Sequence, residues 1–320
     1  MTSRERVIAT IKGEKRDRMP LFGWLGNAEF SPKVEDAFGS IETFQDKYEF
    51  DLAAGSCPTW PFDWEQFKGG DAYEEPHQMF ETVPMTNPDD ADFSGLIADL
   101  KHHKDDRGRF YYVWLPGFFE YCNSLFGMEN NLMYLLLYPE QIKETFDRVH
   151  NWYKKMFVNL KEIGVDMVLL SDDWGSQRSL MFSKEVLNEL IIPVHKATVE
   201  DAHKVGLFAS LHCDGDINDA LDGIVECGYD VLHPYQESAG MSVDKFKSQY
   251  MDKFTVMGGI DVQTTLGFGK YDFLESEIRR IVGEFKDKGM ILSTSHSIQP
   301  HCEIEEAKFA YDLMYKLIRE

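Results

Sequence analysis

Residues 206–236, GLFASLHCDGDINDALDGIVECGYDVLHPYQ, decide the fold. Residues 207–211 form a short apolar run of strand character that delivers His212, Cys213 and Asp214 at its end. A Gly-Asp turn and a helix-like segment follow. A second β run, residues 230–232, then ends in His233, Pro234, Tyr235 and Gln236. Side chains alternate along a strand, so His212 and Asp214 share one face and Cys213 points to the other. Two such runs joined through a helix imply parallel strands with a right-handed crossover.

The same unit recurs on both sides of this stretch. Residues 167–170 lead into Ser171-Asp172-Asp173-Trp174-Gly175, residues 254–257 into Gly258-Gly259-Ile260-Asp261, and residues 290–292 into Ser293-Thr294-Ser295-His296. Helical periodicity follows Ser183 and recurs over 243–249, 271–288 and 305–318. The first half is looser. It opens on a helix capped by Ser3, with Val7, Ile8 and Ile11 as its apolar face, and reaches a first strand near 18–23. Residues 28–50 read as helical and acidic, 73–83 and 110–115 as strands, and 132–137 and 139–160 as helices. Trp60, Phe62, Trp64 and Phe67 read as local core. The expectation is an α/β chain forming a single (β/α)8 barrel of TIM type, with an elaborated N-terminal part and one domain over residues 1–320. No GxGxxG follows a strand and no P-loop is present. The turn at Gly267-Phe268-Gly269-Lys270 lacks the spacing of a phosphate cradle.

Thirty-three basic residues against 55 acidic ones leave a net charge of −22, a field that repels nucleic acid and anionic membranes. The five cysteines are scattered without CxxC spacing, which argues against a disulfide framework or zinc knuckle and for a reducing, cytoplasmic setting. The N-terminus is charged and no window approaches a membrane span.

Polar residues that core packing does not require stand at successive strand ends: Asp172 and Asp173, His212 and Asp214, His233 with Gln236 beyond it, Asp261, and His296. In a parallel barrel these ends converge on one mouth. Imidazole and carboxylate groups from different strands, here His212, Asp214 and His296, are normal ligands of zinc or a similar divalent ion. The competing reading makes His212 a core histidine bonded to Asp214. Cys213 reads as a small buried hydrophobe, and His301 and Cys302 as residues of a solvent-facing loop. Either Asp172 or Asp173 faces the mouth while the other caps a turn.

RERVIATIKGEKRDRMPL (4–21), DDWGSQRSLMFS (172–183), LHCDGDINDALDGIVECGYDVLHPYQ (211–236), MGGIDVQTTLGFG (257–269) and ILSTSHSIQP (291–300) resemble the uroporphyrinogen decarboxylase superfamily. The resemblance implies a TIM-type barrel with its pocket at the strand C-termini. It also implies one of two chemistries, cofactor-free decarboxylation or zinc-assisted methyl transfer to a corrinoid protein. The decarboxylases follow their first strand with arginines that clamp an octacarboxylate. Here that place reads Phe22-Gly23-Trp24-Leu25-Gly26-Asn27-Ala28-Glu29, and no arginine occurs between Arg18 and Arg107. Eight carboxylates without guanidinium partners would bear an uncompensated desolvation cost, so porphyrinogen decarboxylation is rejected.

Thiol-directed methyltransferases of the superfamily carry His-x-Cys on this strand and a second Cys on the last. This chain has His212-Cys213-Asp214 and, near the second position, His296. Harder nitrogen and oxygen ligands leave more charge on the metal and suit polarisation of an oxygen. The expectation is a methyltransferase that demethylates a small methylated compound, in the first instance a methoxylated aromatic. The methyl group passes to the corrinoid of a partner protein, and a homodimer is left open. Asp173, Gln236 and Asp261 are the candidates for orienting substrate or relaying a proton. Trp24, Phe118, Phe119, Trp174 and His233 are the candidate pocket walls, and Glu120 is a further, loop-borne candidate. The alternatives are a decarboxylase or lyase of a small carboxylate, and a non-catalytic barrel that binds a ligand or docks a corrinoid protein.

Overall fold

Short, largely apolar runs form seven strands among the described residues: β1 (Leu52–Ser56), β2 (Phe110–Pro116), β3 (Met167–Ser171), β4 (Phe208–His212), β5 (Val231–His233), β6 (Thr255–Ile260) and β7 (Met290–Thr294). The computed structural model describes every residue except 68, 70, 71 and 72. Strand order in the sheet follows the chain. The pairings β2–β3, β3–β4, β5–β6 and β6–β7 are parallel. Strands β3 and β7 are buried at every residue, as expected where helices cover a parallel sheet. The fold is α/β, of the TIM type.

The chain partitions into two compact units. One comprises Met1–Ala53, His103–Phe110 and Asp230–Glu320; the other comprises Ala54–His102 and Tyr111–Tyr229. In the second unit the helix Pro139–Glu162 buries Ile142, Phe146, Val149, Tyr153, Met156, Phe157 and Leu160, a stripe at three- and four-residue spacing. Each such side chain contributes roughly 1.5–3 kcal/mol when fully removed from water. In the first unit Phe22, Phe44, Tyr48, Phe50 and Tyr311 pack edge to face or tilted at centroid distances of 4.7–6.0 Å.

Several local expectations are revised. Thr2, not Ser3, caps the first helix, Ser3–Ile11. Its Oγ1 accepts from the Glu5 backbone N–H at 3.2 Å while Glu5 Oε2 accepts from the Thr2 N–H at 2.9 Å. Thr2 is extended and Glu5 sits three residues on, the capping-box arrangement. The buried residues of that helix are Arg6, Val7, Ala9 and Thr10, so Arg6 replaces the expected Ile8 and Ile11. The strand expected near 18–23 is reduced to a single parallel bridge, Leu21 to Leu292. Residues 73–83 contain the short helix Pro76–Phe80 instead of a strand, because Pro76 starts a helical turn closed by the Val83 N–H on the Met79 carbonyl.

Arg6, Arg18 and Arg109 of the first unit gather at the amino ends of strands. Buried Asp51, just before β1, accepts from Arg6 Nη1 at 2.5 Å, Arg18 Nη1 at 2.6 Å and the Leu21 N–H at 2.8 Å. Arg109, just before β2, pairs with Asp46 at 2.5 Å. A hollow of about 610 Å³ there is lined by Arg6, Arg18, Arg107 and Arg109 together with Asp46, Glu49 and Asp106. It stands at the amino ends of β1 and β2, whereas His233 and His296 of the same unit stand at the carboxyl ends of β5 and β7. Among the described residues no helix is long and apolar enough to cross a membrane.

Candidate functional site

The second unit carries a group of carboxylates around the ends of β3 and β4. Ser171 and His212 are register partners, and the Asp172 N–H donates to the His212 carbonyl at 2.9 Å. The chain then turns. Asp173 Oδ1 accepts from the Asp214 N–H at 2.8 Å and lies 3.8 Å from His212 Nε2. Gly175 and Gly215 let the two loops meet backbone to backbone. A Cβ on Gly215, where φ is +83°, would stand 2.4 Å from the Ser176 carbonyl, and one on Gly175 would stand 2.6 Å from the Asp214 carbonyl. This close approach sets Asp214 beside the end of β4.

Asp172 and Asp173 have separate jobs. Asp172 is wholly buried and accepts from three N–H groups: Glu120 N at 2.7 Å, Trp174 Nε1 at 2.8 Å and His195 Nε2 at 2.8 Å. It caps the helix Phe118–Phe126 from outside, since Gly117 at the N-cap has no side chain to do so. Only glycine fits there, as a Cβ would lie 2.1 Å from Asp172 Cβ. Asp173 is the one that looks toward His212.

Glu120, read from sequence as loop-borne, occupies the first turn of that helix, and its Oε2 accepts from Ser171 Oγ at 2.8 Å. Burial pushes its carboxyl up to about 7, the Ser171 bond opposes the rise, and the charges of Asp173, Asp172 and Asp214 add to it. Three other carboxylates of this unit therefore act on Glu120.

Phe118, Phe119 and Trp174, expected as pocket walls, are wholly buried. Phe118 packs on Phe146, Tyr153 and His195, Phe119 on Phe182, and Trp174 edge-on to His195 at 4.9 Å. They present no surface to a ligand. Cys213 is buried, its Sγ accepts from the Trp174 N–H at 3.1 Å, and burial raises its thiol far above the ordinary value. It behaves as the small hydrophobe the alternation implied.

The first unit carries the remaining candidates. Buried His233, at the end of β5, lies under the Trp24 indole with ring centroids 5.0 Å apart and planes 33° apart. Trp24 itself is half-buried. Gln236 is buried and its Nε2 donates to Ser238 Oγ at 3.0 Å. Asp261 follows β6. Its Oδ1 accepts from the Gln263 and Thr264 N–H groups at 2.7 and 3.0 Å, while its buried Oδ2 has no hydrogen-bond partner among the described residues. That orphaned oxygen is costly unless a ligand or solvent proton reaches it. His296, just past β7, is exposed and its Nδ1 lies 2.9 Å from Ser297 Oγ. Of the loop residues expected to face solvent, His301 does, whereas Cys302 is fully buried. The glycine turn at 267–269 is a cradle already filled. Its three successive N–H groups point at the Glu306 carboxylate at 2.9–3.2 Å.

His195 and Tyr229 escaped the sequence reading. The place of His195 among the apolar residues of the helix Ile192–Lys204 signals burial, but nothing in the chain says which partners it meets.

The parallel strands with acidic and imidazole groups beyond their carboxyl ends define a TIM-type α/β protein with a polar candidate site. The family model of uroporphyrinogen decarboxylase (URO-D) matches residues 119–317, and the chain belongs to that family. Among solved structures it is similar to a methyltransferase from Methanosarcina mazei, at 14% identity and TM-score 0.72 over 99% of both chains. It is also similar to a B12-independent methionine synthase from Shewanella sp. W3-18-1, at 13% identity and TM-score 0.56 over 95% of both chains. A Bacillus subtilis mannanase aligns at 11% identity and TM-score 0.51, over 96% of this chain and 88% of that one. At these identities the likeness is one of fold. No curated protein matches the sequence.

Proposed function

We propose that this protein is a methyltransferase. It would take a methyl group from a small neutral methylated compound, a methoxylated aromatic in the first instance, and pass it to the corrinoid of a partner protein. His212, Asp214 and His296 would together bind a divalent cation, zinc for preference. The observation that carries the reading is the crowding of Asp172, Asp173 and Asp214 around Glu120, whose carboxyl their like charges help to raise. Such a site attracts a cation and repels an anionic substrate. It therefore disfavours the decarboxylase alternative, whose substrate must itself be a carboxylate, and suits an uncharged ether.

The donor set fits the ion: two imidazoles and a carboxylate are ordinary zinc ligands, and none needs to be a thiolate. When bound, the ion would supply Lewis acidity toward an ether oxygen. The chain's own residues account for the rest. Asp173, 3.8 Å from His212 Nε2, would orient that imidazole. Glu120 holds a proton at neutral pH more readily than an ordinary carboxyl and would deliver it to the departing oxygen. Asp261 Oδ2 and Gln236 would position the substrate, and the Trp24 indole over His233 would offer a flat apolar face to a ring. The M. mazei neighbour, itself a methyltransferase, supports the class of reaction.

The test combines metal analysis of the purified protein with a screen of methoxylated aromatics, following loss of the cobalt(I) absorbance of a reduced corrinoid protein. His212→Ala is expected to lose bound zinc and methyl transfer together, with little change in melting temperature. Full turnover by a rigorously metal-free protein would overturn the metal's role. Turnover of a small carboxylate without any corrinoid protein would overturn the reaction class.

A further inference from the structure

Beneath the acidic group of the second unit lies a fully buried chain of three side chains that the proposed reaction does not use directly. Tyr229 is buried, and its hydroxyl lies 2.6 Å from His195 Nδ1. His195 is wholly buried, with Nε2 2.8 Å from Asp172 Oδ2. Asp172 in turn receives the Trp174 indole N–H and the Glu120 backbone N–H. The faces of the imidazole are enclosed by Phe118 at 5.0 Å and Trp174 at 4.9 Å, so no solvent reaches either nitrogen.

The protons in this chain can be assigned by satisfaction alone. His195 is the only hydrogen-bond partner that the Tyr229 hydroxyl has among the described residues. A buried hydroxyl proton without an acceptor is expensive, so the hydroxyl donates to Nδ1. Nδ1 is then an acceptor, and the ring proton sits on Nε2, where it is donated to Asp172. Burial also raises the tyrosine far above its ordinary value, which keeps that proton in place.

We infer that His195 is a positioning residue. Held between the Tyr229 hydroxyl and the Asp172 carboxylate as its Nε2–H tautomer, it keeps Asp172 in the orientation that fixes the first turn of the helix Phe118–Phe126, and with it Glu120, against the end of β3. The inference rests on the reading of Glu120, Asp173 and His212 as the working site, but its geometric core does not. Removing the Nε2 donor would free Asp172 to turn. The Glu120 N–H would lose its cap, and Asp173, the next residue, would lose its fixed aim at His212.

Long-range nitrogen–proton NMR of histidine-labelled protein reads the tautomer directly, the His195 signal being assigned by its loss in His195→Gln. The expected pattern is one Nε2–H imidazole in the wild type, retained in Tyr229→Phe because Asp172 alone still holds the Nε2 proton. An imidazolium or an Nδ1–H ring in the wild type would overturn the inference whether or not the protein is a methyltransferase. Zinc titration supplies the functional arm. His195→Ala should weaken zinc binding by about tenfold, the scale on which groups behind metal ligands act. His195→Gln, whose amide N–H can still reach Asp172, should recover most of it. If His195→Ala does not fold, the Gln variant decides: a native melting temperature with zinc affinity fallen about tenfold would refute the positioning role. A wild type that binds no zinc would defeat the metal reading while leaving the tautomer result to judge His195.

Discussion

Glu120 sits where three other carboxylates already crowd, and the cost of its charge is a stability effect that can be measured. Its carboxyl is raised from 4.5 to about 7, so between these values the folded protein holds a proton that the unfolded chain has released. Stability contributed by the protonated form is complete below about pH 4.5 and is lost as pH rises toward 7 and beyond. In metal-free protein, Glu120→Gln should remove that slope and raise stability at pH 8 by roughly 1–3 kcal/mol, since each tenfold change in proton affinity between the folded and unfolded chain corresponds to about 1.4 kcal/mol. Urea unfolding in chelator at pH 5 and pH 8 measures it. An unchanged slope in the variant would show that another group carries the pH dependence. Among single residues much was readable in the chain. His212, Asp214 and His296 were singled out because strand ends do not need polar side chains. The split between Asp172 and Asp173 was not readable, because neighbours in a turn point by the local backbone path, which residue type does not specify.

The elements of this protein depend on a few backbone approaches that tolerate no side chain. Gly258 in β6 has φ of +152°, and a Cβ there would stand 2.4 Å from the Pro234 carbonyl, a fixed backbone atom. Gly258→Ala should therefore destabilise by about 3 kcal/mol or more, through strain at an unfavourable φ together with overpacking. Thermal and urea unfolding would record it, and a loss below about 1 kcal/mol would mean that β5 and β6 can shift apart freely. Elements with strong periodicity were legible: the helix Pro139–Glu162 and strands β2, β3, β6 and β7 fall close to where alternation and spacing put them. Segment 73–83 was misread because its β-favouring residues straddle Glu75-Pro76, and proline at a first turn starts a helix whatever surrounds it. The strand near 18–23 shrank to one bridge because its surroundings reward a hub instead: Asp51 binds Arg6, Arg18 and the Leu21 N–H together.

For the whole molecule, charge is the dominant collective term. At −22 the folded chain repels itself, and ion pairs such as Arg6 with Asp51 and Arg280 with Glu237 offset this only locally. Screening should relieve the repulsion, since the Debye length falls from about 30 Å at 0.01 M salt to about 8 Å at 0.15 M. The melting temperature should accordingly rise by a few degrees over that range in sodium chloride. A fall, seen by calorimetry, would mean that salt weakens the ion pairs more than it relieves the repulsion.

The order of helices and strands from residue 139 onward, the parallel α/β class, membership in a decarboxylase-like family without its arginine clamp, and the polar strand ends were determined by the sequence alone. Periodicity, turn residues and motif order are local properties that survive without coordinates. Only the tertiary structure decided which carboxylates press on Glu120, that Asp172 is a buried cap and not a ligand, and that His195 and Tyr229 stand behind it. Those facts arise from side chains far apart in the chain meeting where water is excluded, and hydrogen-bond satisfaction in that space leaves no trace in spacing or composition.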